Sequence, residues 1–119
     1  MNPSHLPQGS QLHRMGAELY LEQVSLEALA HEHGTPLFVY SKAAMLQALG
    51  AYQRGLAGRQ ARIHYAMKAN STLAILQLFA QAGCGFDIVS GGELTRVLAA
   101  GGDPAKVIFS GIGKTRQEM

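Results

Sequence analysis

The sequence predicts an α/β fold organised around a parallel sheet. From Ala61 onward, short apolar runs alternate with longer segments of helical periodicity. Gly83, Gly85 and the run Gly101-Gly102-Asp103-Pro104 punctuate the junctions. Strand, helix, strand, helix, strand in succession implies right-handed crossovers between parallel strands. An open doubly wound sheet and a section of an eight-stranded (β/α)8 barrel both satisfy that order. A barrel takes about 250 residues, and this chain has 119. Its three βα units are therefore expected to be part of a larger protein, because three parallel strands alone leave an open edge and an uncovered core face.

The elements follow in order. Residues 1–16 carry prolines, histidines and polar residues without an apolar core, which reads as a flexible arm and not as a secretory signal. A strand is expected over 19–24. Ser25 then caps a short helix that runs to His33, with Gly34 and Pro36 beyond it. Leu37-Phe38-Val39-Tyr40 reads as a compact strand. Ser41 caps the next helix, whose apolar stripe is Met45, Leu49, Tyr52 and Leu56. The regular part comes next: strand 61–67, helix 71–82, strand 86–89, helix 91–100 and strand 106–109. Thr115-Arg116-Gln117-Glu118 looks like a further helix start.

Composition narrows the function classes. The net charge is only +2 and no basic run occurs, so nothing points to nucleic acid. No apolar stretch is long enough for a membrane span. The single cysteine, Cys84, excludes an internal disulfide and suits a reducing compartment, so a cytoplasmic location is expected.

The run Ile63-His64-Tyr65-Ala66-Met67-Lys68-Ala69-Asn70 concentrates the chemistry. Side chains alternate along a strand, so His64, Ala66 and Lys68 share one face and Ile63, Tyr65 and Met67 the other. Ala66 leaves space beside Lys68. An amine at a strand's C-terminal end, beside room for a flat ligand, suits imine formation, and partial desolvation would favour its nucleophilic neutral form. The plain alternative is a solvated surface lysine. Asp87 lies within the apolar run Phe86-Asp87-Ile88-Val89, where a carboxylate needs a partner. Lys68 on the neighbouring strand is one candidate, and backbone at a frayed strand end is the other. Ser90-Gly91-Gly92-Glu93 fits a capping box, which gives Glu93 a structural role. His64 either lines a pocket or packs in the core. Cys84 reads as a buried, inert thiol, and His31 and His33, two apart on a helix, do not face one another. Gly113-Lys114-Thr115 matches only the end of a phosphate-loop pattern. The glycine that should open the pattern is Ile108, inside a strand, so that reading is rejected.

Thr35-Pro36-Leu37-Phe38-Val39-Tyr40, Tyr65-Ala66-Met67-Lys68-Ala69-Asn70, Phe86-Asp87-Ile88-Val89-Ser90-Gly91-Gly92-Glu93-Leu94 and Phe109-Ser110-Gly111-Ile112-Gly113-Lys114-Thr115 occur in register. Together they resemble the N-terminal part of the diaminopimelate decarboxylases, pyridoxal-phosphate enzymes built on an alanine-racemase-like barrel. The resemblance implies the first three βα units of a (β/α)8 TIM barrel in 43–119, with its strands from Ala61 onward. It implies that 17–42 belong to a second, mostly β domain. It implies that Lys68 holds pyridoxal 5'-phosphate as an imine, with Ala66 and Asp87 beside the cofactor. The implied reaction converts meso-diaminopimelate, a small amino-acid substrate, to L-lysine and carbon dioxide in a homodimer. The family's phosphate site, its acidic partner for the ring nitrogen and its catalytic cysteine lie further along complete chains, and Cys84 is not that cysteine. An isolated piece is accordingly expected to be inactive. Two other readings stand beside this one: an ornithine or arginine decarboxylase on the same barrel, and a non-catalytic α/β module that binds a nucleotide or a protein. A solvent-exposed Lys68 whose face is packed against helices would favour the module, as would a stable, cofactor-free monomer.

Overall fold

The structure is a computed structural model that describes residues 11–119. It divides into two compact units, one closing at Gly55 and the other spanning Leu56–Met119.

The first unit opens with an antiparallel meander of β1 (Leu12–Met15), β2 (Glu18–Leu21) and β3 (Val24–Ser25). Residues 1–10 of the expected arm lie outside the described residues, but Leu12–Met15 correct the rest of it, because they pair with β2. The hairpin turns on Gly16-Ala17. Gly16 has φ +64°, the left-handed value that a two-residue turn needs at its first position if its twist is to match the strands. The single strand expected over 19–24 is two, broken at Glu22, which adopts φ +56°. That conformation is costly for a residue with a Cβ. Its carboxylate offsets the cost: Glu22 Oε1 accepts from Ser41 Oγ at 2.6 Å and from Ala43 N at 2.9 Å.

Helix α1 (Leu26–His33) is capped by Ser25, whose Oγ accepts from Ala28 N at 3.2 Å. Helix α2 (Lys42–Gly55) starts as expected at Ser41, whose Oγ accepts from Ala44 N at 2.9 Å. Between them, Leu37-Phe38-Val39-Tyr40 is not a strand. The four side chains are exposed, Phe38 by 86%. Strand propensity alone does not make a strand; a pairing partner does, and none of the described residues supplies one.

The second unit is a parallel sheet of β4 (His64–Ala66), β5 (Gly85–Ile88) and β6 (Val107–Phe109), in that spatial order. Helix α3 (Leu73–Gln81) connects β4 to β5. Helix α4 (Gly91–Ala99) and a 3-10 turn (Pro104–Lys106) connect β5 to β6. β4 and β6 are shorter than the expected 61–67 and 106–109, and β5 keeps the expected length but starts one residue earlier, because the ladder runs only where a neighbour exists: His64 pairs with Gly85, Tyr65 with Phe86 and Ala66 with Asp87. Met67, Leu76, Phe86, Ile88, Val97 and Ala100 form the buried core, and Tyr65, Phe79, Leu94, Val107 and Phe109 pack against it. Thr115–Glu118 form turns and not the expected helix start. Among the described residues no helix is long and apolar enough to cross a membrane.

Candidate active site

The core fixes which side of the sheet is which. Tyr65 and Met67 on or beside β4, Phe86 and Ile88 on β5, and Val107 and Phe109 on β6 belong to the packed face. The alternate residues His64, Ala66, Gly85, Asp87 and Ile108 therefore share the opposite, open face. His64, Ala66 and Asp87 are half-buried there, and Ile108 is 49% exposed. The imidazole of His64 lies across Gly85. A Cβ built on Gly85 would fall 2.3 Å from His64 Cδ2 and 2.4 Å from the Lys106 carbonyl oxygen.

Lys68 follows directly beyond β4 in the turn formed with Met67 and Ala69. The ladder continues one residue past the strand, since Met67 N donates to Asp87 O at 3.1 Å, and Ala69 N closes the turn on Ala66 O at 3.1 Å. Lys68 thus sits at the C-terminal rim of the sheet. It is exposed, and the desolvation expected of an enclosing cavity is not supplied by these residues. Its turn is nevertheless pinned from the core side. Tyr65 stacks on Phe79 with ring centroids 4.4 Å apart, and its hydroxyl donates to Asn70 O at 3.0 Å. Thr72 N donates to Asn70 Oδ1 at 2.9 Å, and Arg96 Nη1 to Ser71 O at 3.1 Å.

Asp87 has a partner, and it is neither of those weighed from the sequence. Ser110 Oγ donates to Asp87 Oδ1. No ion pair joins Asp87 to Lys68 among the described residues. Ser110 follows β6 in the phase of Ile108, and its own N–H donates to Ile88 O at 2.9 Å. Alternation along 106–110 put Ser110 on the face of Asp87, which is the signal that could have found it.

Ser90 caps α4 as expected, its Oγ accepting from Glu93 N at 3.2 Å. Glu93 is structural, although its carboxylate reaches past the cap and accepts from Val89 N at 2.7 Å. A second carboxylate serves the same helix start. Glu118 Oε1 accepts from Gly91 N at 2.8 Å, while its Oε2 accepts from Thr115 N and Thr115 Oγ1, each at 2.9 Å. These bonds hold the Glu118 carboxyl below the usual carboxylate range, those from Thr115 N and Gly91 N contributing most. Lys114 lies 5.1 Å from the centroid of the Phe109 ring, in a cation–π contact and not in a phosphate loop. Cys84 is buried, and burial pushes its thiol up, away from the reactive thiolate. His31 and His33 lie 3.8 Å from Glu27 and Glu32 respectively, all exposed.

Other proteins are similar to this chain in sequence and in fold. The family model for the pyridoxal-dependent decarboxylase, pyridoxal binding domain, matches residues 42–119. The chain is 55% identical over 103 residues to the diaminopimelate decarboxylase of Pseudomonas aeruginosa and 54% identical over 102 residues to that of Vibrio cholerae, covering 87% and 86% of this chain. It spans about a quarter of each relative's length, 25% and 24%. Among solved structures, diaminopimelate decarboxylase from M. jannaschii in complex with L-lysine superposes with a TM-score of 0.84 at 32% identity, over 92% of this chain and 27% of that one. The Helicobacter pylori enzyme, also complexed with L-lysine, gives 0.73 at 43% identity, over 77% and 23%. The alternation of strand and helix, the lysine at the rim and the matched domain converge: this chain belongs to the pyridoxal-dependent decarboxylases, within their pyridoxal-binding domain.

Proposed function

We propose that this chain forms the opening βα units of the (β/α)8 barrel of a diaminopimelate decarboxylase, which converts meso-diaminopimelate to L-lysine and carbon dioxide. The observation that carries the reading is Lys68 at the C-terminal rim of a parallel sheet whose open face bears Ala66 and Asp87, in a chain 55% identical to an enzyme of that name. Barrel enzymes place their chemistry at that rim. The L-lysine in the complexes of two structural relatives supports an amino-acid ligand.

The residues present fit pyridoxal 5'-phosphate. Lys68 Nζ is an accessible amine for an aldehyde. Ala66 carries only a methyl group beneath it, and Asp87, paired across the ladder with Ala66, contributes a carboxylate. When bound, the cofactor supplies an electron sink for the carbanion left as carbon dioxide departs. Lys68 would hold it through Nζ, and Asp87 would set a negative charge on the same face, which favours a protonated nitrogen nearby. The barrel reading also accounts for the polar open face. A second, mostly β domain over 17–42 and a homodimer, both carried by the resemblance to the family, and a cytoplasmic location, which the single cysteine suits, complete the proposal.

The test uses the enzyme at the full length of its relatives. Lys68→Ala is expected to abolish the visible absorbance of bound cofactor and the formation of lysine; retention of both refutes the assignment. The 119-residue chain by itself is expected to form no lysine.

A further inference from the structure

We propose that Ser110 is a positioning residue of this site: its hydroxyl holds the Asp87 carboxylate in one orientation on the open face, and Glu118 secures the loop from which it acts. The inference rests on the proposed role of Asp87 beside Lys68 and adds two residues to it.

A carboxylate at a strand end rotates readily about its side-chain torsions unless a hydrogen bond selects one rotamer. Ser110 Oγ engages Asp87 Oδ1 and leaves Oδ2 to meet a cationic group. The donor is itself fixed at the backbone. Ser110 N donates to Ile88 O at 2.9 Å, which extends the β5–β6 ladder to this residue. The next residue lies directly on the end of β5, since a Cβ on Gly111 would fall 2.9 Å from Phe109 Cε1 and 3.0 Å from Val89 O. The far end of the loop is anchored by Glu118, which spans from Thr115 to the first amide of α4 through three hydrogen bonds of 2.8–2.9 Å to an ionised acceptor. Both ends of the segment 110–118 are thus tied to β5 and α4, and the Ser110 hydroxyl stays in place over Asp87.

The experiment compares wild type, Ser110→Ala, Ser110→Thr, Glu118→Gln and Lys68→Ala in the full-length enzyme. The readouts are the dissociation constant of pyridoxal phosphate by equilibrium dialysis, the position of its visible band on the enzyme, and kcat and KM for diaminopimelate. Thermal melting confirms that each variant is folded. Ser110→Ala is expected to shift the band and lower kcat about tenfold, in line with loss of one hydrogen bond to a charged group, with KM changed less than about twofold. Ser110→Thr, which keeps the hydroxyl, is expected to restore the band and to recover kcat to within about twofold of wild type. Glu118→Gln is expected to change the same readouts in the same direction by a smaller factor. Wild-type band and kcat in Ser110→Ala, or a defect that Thr does not rescue, overturns the inference, and an unaltered Glu118→Gln overturns the part assigned to Glu118. Lys68→Ala separates the two levels: turnover by that variant overturns the reading of the site itself, whereas its inactivity beside a wild-type Ser110→Ala overturns this inference alone.

Discussion

Replacing Gly85 by Ala tests whether the open face is as closely built as its geometry says. The added Cβ would meet two obstacles of different kinds. The His64 ring, whose Cδ2 and Nε2 would lie 2.3 Å and 2.6 Å from the new Cβ, belongs to a half-buried side chain that can rotate away. The Lys106 carbonyl, 2.4 Å away, is backbone at the entry to β6. To restore even 3.0 Å it must withdraw by at least about 0.6 Å, the difference of those distances, and close-packed interiors resist such shifts. Overpacking of this kind costs about 1–3 kcal/mol. Alanine recovers roughly 0.4–1 kcal/mol by restricting the unfolded chain. A net loss of about 1.3 kcal/mol is expected from the middle of those ranges, read as a lowered urea midpoint by far-UV circular dichroism. The same substitution in a His64→Ala background isolates the carbonyl and is expected to keep most of that loss. If Gly85→Ala costs less than about 0.5 kcal/mol in the His64→Ala background, the backbone approach is not the obstacle and the reasoning fails.

Other consequences are open to measurement. Phe86 is fully buried and meets Tyr65 edge-on at 6.4 Å; Phe86→Ala should cost about 3–5 kcal/mol in urea unfolding, whereas Ile108→Ala on the open face should cost far less. Hydrogen bonds from Ser41 and Ala43 hold Glu22 below the usual carboxylate range, as those from Thr115 and Gly91 hold Glu118. The stabilisation from such depressed groups is complete above the ordinary carboxylate value and is lost as pH falls through the lower, folded value. Amide exchange at Ala43 and Gly91, compared with Glu22→Gln and Glu118→Gln, should therefore separate from wild type at neutral pH and converge with it in acid. Cys84 should react with iodoacetamide much more slowly in the native protein than in urea, because burial raises its thiol; equal rates would contradict that burial.

The elements most legible in the sequence were those whose signal is local. Ser25, Ser41 and Ser90 each supply a side-chain oxygen to an amide three residues on, and all three helices start where those caps predict. Strands were read less well because their limits are set by a partner. The apolar pattern of 61–67 pairs only over His64–Ala66, where β5 lies alongside. Leu37-Phe38-Val39-Tyr40 has the composition of a strand and no neighbour to pair with among the described residues. The turn between β2 and β3 was hidden because Glu22 takes a conformation expected of glycine, and its compensation comes from Ser41 and Ala43, far along the chain. At the site, alternation grouped His64, Ala66 and Lys68; His64 and Ala66 do share the open face, while Lys68 lies in the turn just beyond the strand. The partner of Asp87 was missed because charge suggested a lysine, while register delivered a hydroxyl 23 residues away.

The two faces of the sheet bear on which of the two architectures the chain follows. In a doubly wound sheet helices cover both sides, and central strands carry apolar residues on both. Here the phase of Met67, Phe86 and Ile88 is apolar and buried, whereas the opposite phase runs through His64, Ala66, Gly85, Asp87, Ile108 and Ser110. A helix laid on that second face would bury the Asp87 carboxylate with a serine hydroxyl as its partner, an arrangement that leaves much of its desolvation cost uncompensated. Among the described residues the three parallel strands follow one another in sequence order. A barrel interior removes the conflict, because its inward residues surround a ligand at the C-terminal rim and need no second helical layer. In that setting Lys68 is an amine at the rim, on a turn held by Tyr65 and Asn70 and reachable by an aldehyde, and the desolvation that favours its neutral form would come from the remainder of the barrel.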